Sequence, residues 1–414
     1  MTTDDVPDRG RGDRTGGARR AGRRLPQTGR RVWVAGVPAV AVLALAFAAG
    51  PPASAGSSRN GPPASAGDPS NGPDGTVSRV SESAAGGQGN GGSGLQQTVP
   101  ALSASGRFVA FVSTASNLVP GDSNGVEDVF VRDRLRGSVT RASVGPRGRQ
   151  ANAGSVDASI SASGRYVAFV SAATNLVRGD TNGVNDVFVR DLRGGTTRRV
   201  SVGPRGRQGN GASLFPAISA DGRTVAFQTF ASNLTGPRAL PDTNDAEDVY
   251  VRDLRHRRTV RVSLAPDGRA FSGPSALPAV SADGRRVAFV AEHSGPNRFE
   301  VWVHDRRSNR TRLVSVRPDV AEDNSVGRPS MSANGRYVAF ASSRASLVPG
   351  DTNRSRDVFV RDLASGRFTR VSVAADGRQA TSDSDGPSIS ARGRFVTFVS
   401  FADTLVPCWA LLSR

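Results

Sequence analysis

The 414-residue chain has no lysine, so all 54 of its basic residues are arginine. It has one cysteine, Cys408, and three histidines, His256, His293 and His304. A single cysteine excludes an internal disulfide. The histidines have no spacing that suits a zinc site or a catalytic triad. No serine stands in a Gly-x-Ser-x-Gly motif on a strand-to-helix turn. Sustained helical periodicity is missing from residues 76–407, so helices do not organise that stretch. The net charge is +18, of which the first 31 residues, with nine Arg against four Asp, hold +5. Specific nucleic-acid binding would need arginines gathered on one face with aromatics between them. Here they recur throughout the chain, so that function is not expected. Charge alone would still draw the chain towards anionic wall polymers or lipid headgroups.

What the sequence does have is a repeat. The stretch Ser161-Ala-Ser-Gly-Arg-Tyr-Val-Ala-Phe-Val-Ser171 has six copies, starting at Ser103, Ser161, Ser219, Ser281, Ser332 and Ser390. Each copy opens with a short apolar segment such as Pro216–Ile218. A Ser-Ala-Asp-Gly-Arg type of turn follows, in which Asp or Asn bonds the backbone and Gly supplies positive φ. An apolar run such as Tyr166–Val170 completes a hairpin of strands A and B. After a longer loop, Asp186–Leu192 reads as strand C, recurring at Asp128, Asp248, Glu300 and Asp357. Thr197–Val202 reads as strand D. Four short antiparallel strands at a fixed period predict an all-β fold, a β-propeller of six four-stranded blades.

The chain divides into three parts. Residues 1–55 read as a signal peptide or N-terminal membrane anchor, with an apolar run over Val32–Ala49 and small residues at Pro52-Ala-Ser-Ala55. Arg30-Arg31 also resembles a twin-arginine signal. Residues 56–75 read as a disordered Pro/Gly/Ser linker. Residues 76–414 hold the propeller. Thr76–Ser81 matches strand D yet precedes the first strand A, so it is expected to close the last blade and hide its edge. After Pro407 the repeat stops, and Cys408-Trp-Ala-Leu-Leu-Ser-Arg414 stands where the loop and strand C would follow. Blade six is therefore expected to be incomplete and weak.

Ser-Ala-Asp-Gly-Arg-x-Val-Ala-Phe, then Asp-Val-Phe-Val-Arg-Asp-Leu, then Arg-Val-Ser resembles the TolB-like propeller repeat over about residues 76–407. The departures are Ala where that family often has Pro before Asp-Gly, longer B–C loops, and the interrupted last blade. The resemblance implies a binding scaffold of the bacterial envelope, although similar propellers also stand beside peptidase domains.

Strand connectivity puts the long D–A and B–C loops on one face, where a rigid scaffold would carry its function. The B–C loops repeat an acidic set: Asp122, Asn124 and Asp128; Asp180, Asn182 and Asp186; Asp242, Asn244 and Asp248; Asp351, Asn353 and Asp357. Oxygen ligands at positions 1, 3 and 7 suggest calcium. The alternative is a set of Asx-turns capping a structured loop, since the remaining EF-hand ligands are not matched. The hairpin arginines Arg107, Arg165, Arg223, Arg285, Arg336 and Arg394, and the strand-ending Asp133, Asp191, Asp253, Asp305 and Asp362, recur once per blade. They read as structural Arg–carboxylate pairs or turn caps.

No catalytic residue is expected. The functional expectation is a monomeric, secreted or cell-surface, non-catalytic propeller. It would present its loops to a protein, peptide or cell-wall glycan and touch membrane only through the N-terminal segment. The alternative is a carboxylate- or calcium-dependent hydrolase or lyase at the channel mouth. Its best candidate cluster is Asp242, Asp245, Glu247 and Asp248 in the divergent third blade.

Overall fold

The computed structural model describes residues 78–94, 99–236, 242, 244–293, 295, 298–315 and 326–405. The expected leader and linker, Thr76, Val77 and the tail from 406 onward lie outside the described residues. Among the described residues no helix is long and apolar enough to cross a membrane.

The repeats form successive antiparallel sheets. Blade one is β1 (Ala101–Leu102), β2 (Phe108–Ser113), β3 (Asp128–Asp133) and β4 (Ser138–Arg141). Blade two is β5 (Ser155–Ile160), β6 (Tyr166–Ser171), β7 (Asp186–Asp191) and β8 (Thr196–Arg199). Blade three is β9 (Ser213–Ile218), β10 (Thr224–Thr229), β11 (Asp248–Asp253) and β12 (Arg258–Arg261). Blade four is β13 (Ser275–Val280), β14 (Arg286–Glu292), β15 (Phe299–Asp305) and β16 (Arg310–Leu313). Blade five is β17 (Ser330–Met331), β18 (Tyr337–Ser342), β19 (Asp357–Asp362) and β20 (Phe368–Arg370). The sixth sheet has two strands, β21 (Ser384–Ile389) and β22 (Val396–Ser400). This is the all-β, four-stranded blade architecture of a β-propeller.

The second and third strands are buried on both faces because each blade is sandwiched by its neighbours. In β6, Val167, Ala168, Phe169 and Val170 are all fully buried. Phe169 faces blade one in a cluster with Val112 and Val131, while Ala168 and Val170 face blade three with Val225 and Phe227. The A–B turns add a chain of backbone bonds from blade to blade. Ala104 donates to Ala162, Ala162 to Ala220, Ala220 to Ala282, and Ala282 to Ala333. The turn glycine serves two ends. Gly222 takes φ +72, and a Cβ there would lie 2.2 Å from Cδ2 of Tyr166 in the preceding blade. Only glycine meets both demands.

The structure corrects two boundaries. Strand D ends at Arg199, before the expected Val202, because the Val202 N–H turns back to the Val200 carbonyl at 2.7 Å and leaves the ladder. Strand A is longer than expected and bulged. Residues 157 and 158 together stand between the pairs Val156–Val170 and Ser159–Ala168.

The N-terminal segment packs as a strand-D continuation would. The Glu82–Gln88 bridge repeats those of Val144–Gln150 and Val202–Gln208. Asn117 donates to the Gln88 carbonyl just as Asn175 does to Gln150. That fixes the segment on blade one. At the other end blade six is thinly covered: β22 has no buried residue, whereas β6 has five. Leu102, whose counterpart Ile160 is 8% exposed, is itself 62% exposed.

Candidate functional site

Each acidic B–C loop closes around an arginine from strand D of the same blade. Nη1 of Arg199 lies 3.2 Å from both Asp180 Oδ1 and Asp186 Oδ2. Nη1 of Arg141 is 3.0 Å from Asp122 and 3.2 Å from Asp128. Arg370 stands 3.0 Å from Asp351 and 3.5 Å from Asp357, and Arg261 2.9 Å from Asp248 and 3.7 Å from Asp242. A serine hydroxyl completes the set, Ser201 donating to Asp186 at 2.5 Å and Ser263 to Asp248 at 2.6 Å. Ser143 donates to Asp128 and Ser372 to Asp357 in the same way.

The asparagines are turned for this arrangement. Asn124 and Asn353 each donate their side-chain amide to the neighbouring Asp at 2.9 Å, and Asn182 does so at 3.4 Å. Their carbonyl oxygens accept the N–H two residues on, as in Asn353 to Ser355 at 3.1 Å. Asn244 instead donates to the Phe271 carbonyl. The structure thus gathers the acidic residues of each loop, but around a partner that the spacing of the loop residues does not contain, the strand-D arginine. A carboxylate, an amide nitrogen and a guanidinium around one point make an anion-to-arginine latch. Among the described residues no three His, Cys, Asp or Glu side chains converge to hold a metal.

One guanidinium between two carboxylates leaves a net negative charge, which burial penalises. Burial, and then the nearby Asp357, push Asp351 up to about 6 against the pull of Arg370. Burial raises Asp180, Asp186 and Asp248 as well. A raised carboxyl gains its proton more readily folded than unfolded, so the penalty at Asp351 fades as pH falls through about 6.

Blade four shows the logic by exception. It lacks the acidic loop, and Leu313 takes the arginine position opposite Trp302. Glu300 replaces the Asp; burial raises its carboxyl against the pull of His293, then of Arg344 of blade five and Arg298. Arg344 stands where other blades have Ala115, Ala173 and Ala231.

Four of the six hairpin arginines make the expected pair with the strand-ending Asp. Arg165 grips Asp191 through Nε at 2.9 Å and Nη2 at 2.7 Å, and stacks on Tyr166. Arg107–Asp133, Arg285–Asp305 and Arg336–Asp362 repeat the grip. The Arg165 bond, with the N–H groups of Gly194 and Arg193, holds the Asp191 carboxyl down at about 2. A depressed carboxyl stabilises the fold above its unfolded value, and that support is lost as pH falls towards 2. Blade three differs, because Asp253 Oδ2 meets His256 Nδ1 at 2.8 Å.

The histidines do not gather for catalysis. His304 is buried against Thr311, and desolvation lowers it to about 4, so it is neutral. His293 stacks edge-on against Phe271 and Trp302. In the suggested third-blade acidic cluster, Asp242 and Asp248 share Arg261. Asp245 takes a left-handed turn position at φ 50, and the Glu247 carbonyl pairs with Ser275.

The D–A and B–C loops do share a face, bonded to each other. Gln150 of a D–A loop meets Ser123 of its own blade, while Asn152 meets Thr174 of the next. The D–A turns of blades one and two, Pro146-Arg-Gly-Arg149 and Pro204-Arg-Gly-Arg207, are held rigidly. Gly145 donates to Arg149 and Gly203 to Arg207, both at 2.7 Å. Arg147 and Arg205 occupy left-handed positions at φ 59 and 57. All four turn arginines are exposed. Blade three has Asp267 at this position and blade five has Asp376, which pairs with Arg378 at 2.6 Å. Among the described D–A turns, the unopposed positive charge is thus gathered on those of blades one and two. Treating the arginines as evenly spread conceals it; comparing the D–A turns copy by copy reveals it.

No protein-family model matches the chain, and no curated protein sequence matches it. Solved structures similar to it include TolB from Acinetobacter baumannii, at 17% identity and TM-score 0.39, over 65% of this chain and 52% of that one. A putative TolB from Agrobacterium tumefaciens is 16% identical with TM-score 0.43, over 73% of this chain and 90% of that one. An oligogalacturonate lyase in complex with manganese is 13% identical with TM-score 0.45, over 72% and 68%. The chain thus spans about half of the Acinetobacter TolB chain. In its own geometry, it is a repeat of antiparallel β-propeller blades whose recurring polar residues bond to one another.

Proposed function

We propose that the chain is a non-catalytic, extracytoplasmic binding propeller whose loop face takes an acidic partner, a protein segment or glycan bearing carboxylates. The observation that carries this reading is the rigid arginine sector formed by Arg147, Arg149, Arg205 and Arg207 on blades one and two. The recurring acids of the same face are already engaged by strand-D arginines, so the free charge there is positive. The extracytoplasmic placement rests on the apolar run and small-residue site in residues 32–55.

The probe is polyglutamate, titrated into the full chain at low salt. Binding is expected to weaken by at least tenfold in a variant with Arg147, Arg149, Arg205 and Arg207 changed to Ala, and to weaken as salt is raised. Because these side chains are exposed, the variant's stability should stay within about one kcal/mol of the parent. Unchanged binding by the variant contradicts the reading.

A further inference from the structure

The repeats are alike in their turns but differ from blade to blade at a position on strand A. It is the residue three before the end of strand A: Val99, Asp157, Phe215, Leu277, Arg328 and Gly386 in blades one to six. Five are different residue types with side chains and one is glycine. Symmetric repetition cannot explain what they do.

The structure brings three of them together across the interior. The Arg328 guanidinium of blade five lies 5.9 Å from the ring centre of Phe215 in blade three. It also interacts electrostatically with the Asp157 carboxylate of blade two, on which the Phe215 N–H acts as well. Blades two and three do not adjoin blade five, so these groups meet across the central channel. Leu277 stands at the same level on the blade between. Solvent reaches Arg328, yet protein surrounds it closely enough for desolvation to lower its pKa, while desolvation raises that of Asp157. Among the described residues the two charges make no direct ion pair. Opposite charges drawn out of bulk water without contact are costly, and a group fitting between them would repair both.

The backbone adds an independent observation. Asp157, Phe215 and Leu277 sit in left-handed bulges at φ 53, 49 and 55. Gly386 fills the same bulge at φ 60. A side chain there costs roughly 1 kcal/mol or more over glycine. Three blades carry that cost and keep side chains at this position.

We propose that this ring binds a small zwitterion bearing an apolar group, an α-amino acid being the simplest: its carboxylate on Arg328, its ammonium on Asp157, its side group against Phe215 and Leu277. The site is distinct from the loop face and stands or falls without it.

Calorimetric titration of the full chain with L-leucine, L-leucinamide and N-acetyl-L-leucine tests it. Leucine is expected to bind, and each analogue, lacking one charge, to bind at least tenfold more weakly. Arg328→Gln should remove the preference for leucine over its amide, and Asp157→Asn the preference over the acetyl form. Asp157→Gly, matching Gly386, should keep or raise the melting midpoint while losing leucine. No binding at millimolar leucine overturns the proposal. So do equal binding of the three ligands and preferences unchanged in the variants.

Discussion

Asp186→Ala is expected to lower the unfolding free energy by about 3–5 kcal/mol, the usual cost of removing one member of a buried ion pair. The Asp186 carboxylate is fully buried. It holds Arg199, the Ser201 hydroxyl and the Asn182 amide at once. Without it, Arg199 keeps Asp180 and the Gly179 carbonyl but loses its most buried partner, and Ser201 loses its acceptor. The loss falls on the folded state, because the unfolded chain solvates all these groups with water. The double change Asp186→Ala with Arg199→Leu is expected to cost less than the single one. Blade four already carries Leu313 at that position, so the sheet accepts an apolar residue there. Denaturant midpoints of the parent, single and double variants read the difference. A single-variant loss below about one kcal/mol would mean that the latch is a solvated loop.

A similar cost, about 3–5 kcal/mol, is expected for Phe169→Ala, and much less for Phe398→Ala. The two residues are equivalent in the repeat. Phe169 is fully buried and stacks on Phe188 at 5.8 Å, in a cluster with Val112 and Val131 of blade one. Phe398 is only partly buried, in a strand with no buried position. The cost of a cavity grows with the volume left empty, so the same truncation reports how tightly each blade is packed. Amide exchange should agree, with β22 exchanging well before β6. Equal losses at Phe169 and Phe398 would show that blade six is as firmly held as blade two.

The fold was legible because it is written six times. The hairpin Ser-Ala-Asp-Gly-Arg, with its glycine pressed on the preceding blade, fixes the A–B turn. Runs such as Val167–Val170, apolar on both faces, announce a strand between two neighbours. The Arg165–Asp191 grip was legible for the same reason, since both members recur together. The strand-D arginine latch was harder to read. Arg199 lies thirteen residues beyond Asp186 in an Arg-rich stretch, and only the Leu313 exception in blade four marks the pairing. A motif of regularly spaced oxygens looks the same in sequence whether a metal or a guanidinium occupies its centre. The channel ring was hidden for the opposite reason. Asp157, Phe215, Leu277 and Arg328 share a position but no chemistry, so a search for what recurs passes over them. The bulge shared by Asp157, Phe215 and Leu277, seen only in the backbone, is what aligns those three.

The central claim is that arginine stands in the acidic loops where a metal ion would otherwise sit. It is tested most directly by melting the full chain with calcium in millimolar excess and again with chelator. A bound ligand at a hundred times its dissociation constant would add about 2.7 kcal/mol to the folded state. Superimposed melts are predicted, because Arg141, Arg199, Arg261 and Arg370 already occupy the centres of the four loops. A higher midpoint in calcium would contradict the account and make Asp122, Asp180, Asp242 and Asp351 metal ligands.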